Sequence, residues 1–240
     1  MMILINGGSS SGKSAFAETL IVEQAKKEEV MAEAAGKSMR GGARKTDLRH
    51  QPSFYLATMI AWDEECRERI RKHRKMREKK NFMTIECPVD LSKAEVPAGS
   101  RCLLECVSNL AANEMYRRDM EDPENGAMER ILEGIRMIRK NADFLVIVTN
   151  EVFSESVPDS PEMKEYKRIL GRINCEIAAM ADQHFLIEKK TEDAVTRTHI
   201  YPLTEEKSVE ELARILGGAK ITDTVIRSAK EMKNLAGQIK

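Results

Sequence analysis

The chain has 240 residues, 42% hydrophobic and 32% charged, and its 39 basic and 39 acidic side chains cancel to zero net charge. That length holds one large domain, or one domain with an appendage, and the apolar content suffices for a core. The cancelled charge argues against a nucleic-acid binder working through a general basic field, and no run approaches the ~20 apolar residues of a membrane span.

In chain order, Met2-Ile3-Leu4-Ile5 reads as a buried strand. It runs into Gly7-Gly8-Ser9-Ser10-Ser11-Gly12-Lys13-Ser14, which fits the phosphate-loop pattern G-x-x-x-x-G-K-[ST]. Ala15 to Ala25 then reads as a helix. Each part has a physical task. The glycines let backbone N–H groups converge on phosphate oxygens, and the helix N-terminus adds its dipole. Lys13 is placed to reach the β- and γ-phosphates, and Ser14 can ligate Mg²⁺. A plain Gly/Ser turn would not need strand, loop, Lys-Ser and helix in that order, so these residues point to a nucleoside triphosphate. A start that enters directly into strand and loop is not expected to be a secretory leader. Five cysteines (Cys66, Cys87, Cys102, Cys106 and Cys175) without CxxC spacing suggest reduced thiols and a cytoplasmic protein. Cys102 and Cys106 lie in an apolar run and read as small core residues.

Residues 26–52 are polar and weakly periodic, and read as a surface loop inserted in the domain, with a short helix near 28–35. Further strands are expected at Phe54–Thr58, Arg101–Cys106, Phe144–Thr149 and His184–Ile187, with a short extended run at Met83–Cys87. Helical patterns fall at 63–80, 108–120, 125–141 and 162–182. Strands alternating with helices predict an α/β fold of phosphate-loop NTPase type, a mostly parallel sheet with helices on both faces. Ligands then gather at the carboxyl ends of the strands. Residues 1–188 are read as the nucleotide-binding and transferase domain. Residues 189–240 are read as a C-terminal extension of one strand (Thr198–Leu203) and two amphipathic helices (205–217 and 223–238), able to pack on the core or on a partner subunit.

Within helix 63–80, Cys66, Ile70, His73 and Arg77 share a face. His73 is flanked by Arg71, Lys72 and Arg74, a setting that attracts phosphate. Cationic neighbours favour a neutral imidazole, which a nucleophile requires. On chemistry alone, an ordinary histidine on a charged helix is the simpler reading. Glu105 ends an apolar strand, where phosphate-loop enzymes commonly place a carboxylate that holds Mg²⁺; a local structural role fits equally well. Glu86, at the end of the short extended run, reads by itself as structural. Asn150 and Glu151 could orient substrate or cap the next segment.

Taken together, the ordered motifs resemble the bifunctional adenosylcobinamide kinase/adenosylcobinamide-phosphate guanylyltransferase family. Ile3-Leu4-Ile5-Asn6-Gly7-Gly8 through Gly12-Lys13-Ser14, with Ala17-Glu18, is similar to the family's opening. Tyr55-Leu56-Ala57-Thr58, Asp63-Glu64-Glu65 with Arg69-Ile70 and His73-Arg74, Thr84-Ile85-Glu86 and Leu103-Leu104-Glu105-Cys106 follow in the family's order. Thr149-Asn150-Glu151-Val152 with Val157-Pro158, and Gly171-Arg172-Ile173-Asn174 through Ala178-Ala179-Met180-Ala181-Asp182, complete the series. A phosphate loop alone is unspecific; the ordered series, over roughly 1–24 and 54–188, is specific.

The resemblance implies phosphorylation of the aminopropanol hydroxyl of adenosylcobinamide by ATP or GTP. Transfer of GMP from GTP onto that phosphate would follow, through a guanylylated histidine. His73 occupies the matching position, which turns its reading toward nucleophile. Lys13, the loop residues Gly7 to Ser14 and Mg²⁺ would bind the triphosphate, with Ser14 and Glu105 on the metal side and Glu86 near the nucleoside. The family's members look like trimers, so a homo-oligomer is expected, with a small-molecule substrate and no nucleic-acid partner. Ser10 stands where the family often carries Arg, and Phe82 where it has Trp. Phe153-Ser154-Glu155-Ser156 replaces a segment that usually holds two glycines. That last change raises two other readings. One is a phosphate-loop kinase of a different small alcohol, and the other a nucleotide-binding regulator without turnover.

Overall fold

The computed structural model describes residues 1–38, 52–152, 160–192, 195–217 and 221–238. Its elements in chain order are β1 (Met2–Gly7), α1 (Lys13–Ser38), β2 (Ser53–Ala57), α2 (Glu64–Arg77), β3 (Phe82–Glu86), β4 (Ser100–Glu105), α3 (Val107–Met115), α4 (Ala127–Asn141) and β5 (Ala142–Val148). There follow α5 (Pro161–Met180), β6 (Gln183–Glu192), β7 (Val195–Pro202), α6 (Glu205–Gly217) and α7 (Asp223–Gln238). The strands form one seven-stranded sheet in the order β3-β2-β4-β5-β1-β6-β7. Every pairing is parallel except the β6–β7 hairpin, which is antiparallel. The expected α/β architecture is therefore the observed one.

Strand alternation assigns each residue to a side of the sheet. From β1, Met2 and Leu4 join one core with Leu56, Leu104 and Ile147, while Ile3 and Ile5 join the other with Tyr55, Leu103 and Val146. The first core is closed by α3, α4 and α5, and by Val209, Leu212 and Ala213 of α6 and Ala229 of α7. The second is closed by the early turns of α1 through Ala17 and Ile21. Helices on both faces explain why β1 and β5 are apolar almost throughout, as parallel strands covered twice must be.

Two segments depart from expectation. The surface loop expected from residue 26 does not begin there, because α1 continues to Ser38. Residues 26–34 are rich in Lys, Glu, Ala and Met, strong helix formers whose intrinsic preference extends the helix without a buried stripe. Glu28 anchors this stretch, accepting from Gln24 at 2.8 Å and pairing with Arg101 of β4. The rest of that segment, 39–51, lies outside the described residues, as does Phe153 to Pro158.

The C-terminal part is built into the main sheet and core. β6 spans the 188/189 boundary and pairs with β1, and α6 and α7 pack on α5. A polar chain also ties α6 to the phosphate loop's strand. Asn6 donates to Glu211 at 2.9 Å, Arg214 donates to Glu211 at 2.7 Å and to Glu151 at 3.3 Å, and the Glu151 amide donates to the Gly7 carbonyl at 2.9 Å. Among the described residues, no helix is long and apolar enough to cross a membrane.

Candidate active site

Parallel pairing brings the carboxyl ends of the strands to one edge. Ala57 stands opposite Glu86 on one side and Glu105 on the other, and Glu105 opposite Val148. A cleft of about 510 Å³ opens at that edge, between the β1–α1 loop and α2.

The loop's conformation depends on its small residues. Gly12 has φ +99° and Ser10 φ +55°, both in the left-handed region. At Gly7 a Cβ would sit 2.2 Å from the Ile187 carbonyl oxygen of β6, so only glycine lets the two strands approach here. Lys13 is 5% exposed and donates to the Gly8 carbonyl at 2.6 Å. Burial lowers its pKa, opposed by the nearby Cys106 and Glu105. A buried ammonium satisfied mainly by one carbonyl gains from an arriving anion, as a phosphate subsite requires. From behind, Thr198 of β7 donates to the Ser11 carbonyl at 3.2 Å and packs its side chain beside Gly12.

The first turn of α1 aims Ser14 at β4, where its hydroxyl donates to Glu105 Oε1. The Tyr55 hydroxyl donates to Glu105 Oε2 at 3.1 Å. Burial first, then the Glu105 charge, raises the Tyr55 pKa, so the phenol keeps its proton and acts as donor. Glu105 is thereby held by two hydroxyls at the mouth of the loop. A serine oxygen in contact with a carboxylate is a hard-oxygen donor set that fits Mg²⁺.

α2 carries the cationic wall. It begins at Asp63, whose side chain accepts from the Cys66 amide at 2.7 Å, with Glu64 and Glu65 in its first turn and Arg74, Lys75 and Arg77 in its last. That charge order suits the helix dipole. His73 and Arg77, one turn apart, both face inward. The Arg77 guanidinium lies 3.4 Å from the centre of the Tyr55 ring. His73 Nδ1 lies 3.8 Å from Glu105 Oε1. Glu86 is half exposed at the end of β3, pairs with Arg74 at 3.0 Å and borders the same cleft.

Of the residues singled out from sequence, Ser9, Ser10, Gly12, Lys13 and Ser14 border the cleft, as do His73, Glu86 and Glu105. Gly7, Gly8 and Ser11 shape the loop from beneath instead. Asn150 also borders the cleft and donates to Ser108 at 2.7 Å. Sequence reasoning did not find Tyr55, Arg77 or Lys189 as site residues. The shared face of His73 and Arg77 was a usable signal for one of them. Lys189 arrives only because β6 pairs with β1.

Residues 30–190 match the family described as Cobinamide kinase / cobinamide phosphate guanyltransferase. The Bifunctional adenosylcobalamin biosynthesis protein CobU of Salmonella typhimurium is 31% identical over 199 residues, covering 78% of this chain and 95% of that protein. This chain belongs to the cobinamide kinase / cobinamide phosphate guanyltransferase family. The Escherichia coli protein of the same description is 28% identical over the same shares. A KaiC-like protein from Pyrococcus horikoshii aligns over 84% of this chain and 77% of its own, at a TM-score of 0.42 and 12% identity. Membership makes the chain one of a family of transferases acting in cobalamin biosynthesis, and the cleft just described is this member's candidate active site.

Proposed function

We propose that this chain is a kinase and guanylyltransferase of adenosylcobinamide, working through a GMP adduct on His73. The observation that carries this reading is the contact chain from loop to helix, in which Ser14 touches Glu105 and His73 Nδ1 stands 3.8 Å from the same carboxylate. It sets an imidazole at the mouth of the anion-binding loop. In the kinase half, the substrate's hydroxyl oxygen attacks the γ-phosphorus of ATP or GTP and gives up its proton to solvent, the bond to the β-phosphate oxygen breaks, and the nucleoside diphosphate leaves. In the transferase half, a ring nitrogen of His73 attacks the α-phosphorus of GTP, and pyrophosphate leaves with the bonding electrons. A phosphate oxygen of the acceptor then attacks that phosphorus, and the electron pair returns to the ring. Two moderate displacements replace one difficult one.

Lys13 and the loop amides would hold the triphosphate and the charge that develops on the leaving group. Ser14 and Glu105 would hold Mg²⁺, which supplies charge neutralisation among the phosphate oxygens when bound. Arg69, Lys72 and Arg74 line the approach and would attract the nucleotide. Glu86, at the outer end of the cleft beside Arg74, is assigned to the nucleoside. A homo-oligomer in the cytoplasm completes the reading, checked by light scattering on the purified protein. The central test is incubation with [α-³²P]GTP. We expect an acid-labile, base-stable label on His73 that disappears in His73→Ala while GTP still binds. Label that survives the substitution refutes His73 as nucleophile.

A further inference from the structure

α1 carries a second carboxylate toward this site, and the mechanism above leaves it without a task. Glu18 lies one turn beyond Ser14 on the same face of α1, and it is fully buried. One oxygen accepts from Lys80 at 2.5 Å, while Oε1 has no hydrogen-bond partner. His73 Nδ1 is likewise buried and without a partner. A nitrogen of His73 and one oxygen each of Glu18 and Glu105 lie within 4.8 Å of one another. A buried acceptor and a buried ring nitrogen, each without a hydrogen bond, thus belong to two side chains of one tight cluster. Glu105 is a neighbour too, with Oε1 3.8 Å from Nδ1, but each of its oxygens already accepts one hydroxyl, from Ser14 and from Tyr55, whereas Glu18 Oε1 accepts none. Glu18 Oε1 is the acceptor in this cluster that has no hydrogen bond at all.

We propose that Glu18 is the positioning residue of His73, accepting a hydrogen bond from Nδ1–H so that Nε2 is left bare and aimed into the cleft. This rests on the reading of His73 as the nucleophile. The two nitrogens of a neutral imidazole are distinct, and the hydrogen bond made by one decides which is free. With the proton held on Nδ1, the lone pair that forms the bond to the α-phosphorus is on Nε2. The ring becomes positively charged as that bond forms, and the Glu18 carboxylate faces that charge. No proton moves in the step, and Glu18 touches no substrate atom. Lys80 keeps the carboxylate in place, and the separation closes by a small rotation of the His73 ring, as such contacts do when nucleotide binds.

The experiment uses full-length protein labelled with [¹⁵N]histidine, whose ring shifts report the tautomer whether or not the enzyme turns over. We expect His73 to carry its proton on Nδ1. In Glu18→Leu, which keeps the side chain's size, the two tautomers mix. There the rate of GMP-adduct formation at saturating GTP falls by about tenfold or more, with GTP affinity within about twofold. Glu18→Gln retains an acceptor oxygen and restores the Nδ1–H form, a rescue that a merely structural role would not produce. A wild-type ring protonated on Nε2 overturns the proposal by itself, whether or not the leucine variant folds. An unchanged tautomer and rate in Glu18→Leu also overturn it. If wild-type protein takes up no GMP, the nucleophile reading falls, and the tautomer still decides the role of Glu18.

Discussion

At the β6–β7 end of the sheet, Leu212, Ala213 and Ala229 are sealed against α5, and β1 is buried along its whole length. At the β2–β3 end, no residue of β3 is fully buried, and α2 buries one side chain, Arg77. The anion cradle belongs to the first end and His73 to the second. The cradle is fixed by packing, strand pairing and the Asn6–Glu211–Arg214 chain. The histidine rides on a helix held by a cation over a ring and by exposed ion pairs such as Glu65–Arg69, each worth little in water. The proposed mechanism, which would bind two phosphate substrates in succession, has use for that asymmetry. Under the proposed mechanism the loop that would seat phosphate is the more tightly packed part, and the histidine that would carry GMP sits on the side that yields more easily.

The contrast can be broken from either end. The largest effect is expected at Gly7→Ala, which pushes a methyl into the Ile187 carbonyl. It should cost about 3 kcal/mol or more, read as a lower urea midpoint, because backbone on both sides leaves no room to relax.

Acid should come next, acting on the packed end through His184. His184 of β6 is 5% exposed, and burial, with Lys233 nearby, pushes its pKa down to about 4. A folded pKa below the unfolded one means that the chain binds the proton more readily when unfolded. The stability is therefore present above pH ~6.5 and lost as pH falls toward 4, by about 2 kcal/mol between pH 7 and 5. Melting temperatures across that range should fall in the wild type and flatten in His184→Phe.

The smallest change is expected from Arg77→Leu, which removes the cation from the Tyr55 ring. It should lower global stability by about 1 kcal/mol. Amide exchange should quicken in α2 and stay unchanged in β1 and β6. Equal quickening in both places would erase the distinction between the two ends.

Much of the fold was legible because its signals are local. β1, the loop and the start of α1 are read from apolar run, glycine spacing and Lys-Ser, and α6 and α7 from their amphipathic faces. Within 26–38 only a short helix near 28–35 was expected, where α1 in fact runs through without a break, because apolar periodicity was weighed above propensity and this part of α1 has propensity without a stripe. The candidate site was half legible. Lys13, Ser14 and Glu105 follow from a motif and a strand end, and His73 needed the family resemblance to rise above an ordinary charged-helix histidine. Glu18 entered only as part of the family's opening motif, with no role attached to it. Its burial follows from α1 and the segment after α2 closing around it, a non-local event that no short window of sequence carries. The packing of the last helices on α5 has the same origin, because an amphipathic face does not name the surface that will cover it.

Thr198 reaches from the β6–β7 hairpin to the underside of the cradle, bonding the Ser11 carbonyl and resting beside Gly12. The hairpin is therefore in direct touch with the loop from the side away from the cleft. Under the proposed nucleotide binding, any change in the loop's environment would reach a solvent-facing ribbon far along the polypeptide through this contact. An environment-sensitive dye placed on that ribbon would follow nucleotide occupancy in real time, with the cleft itself left untouched.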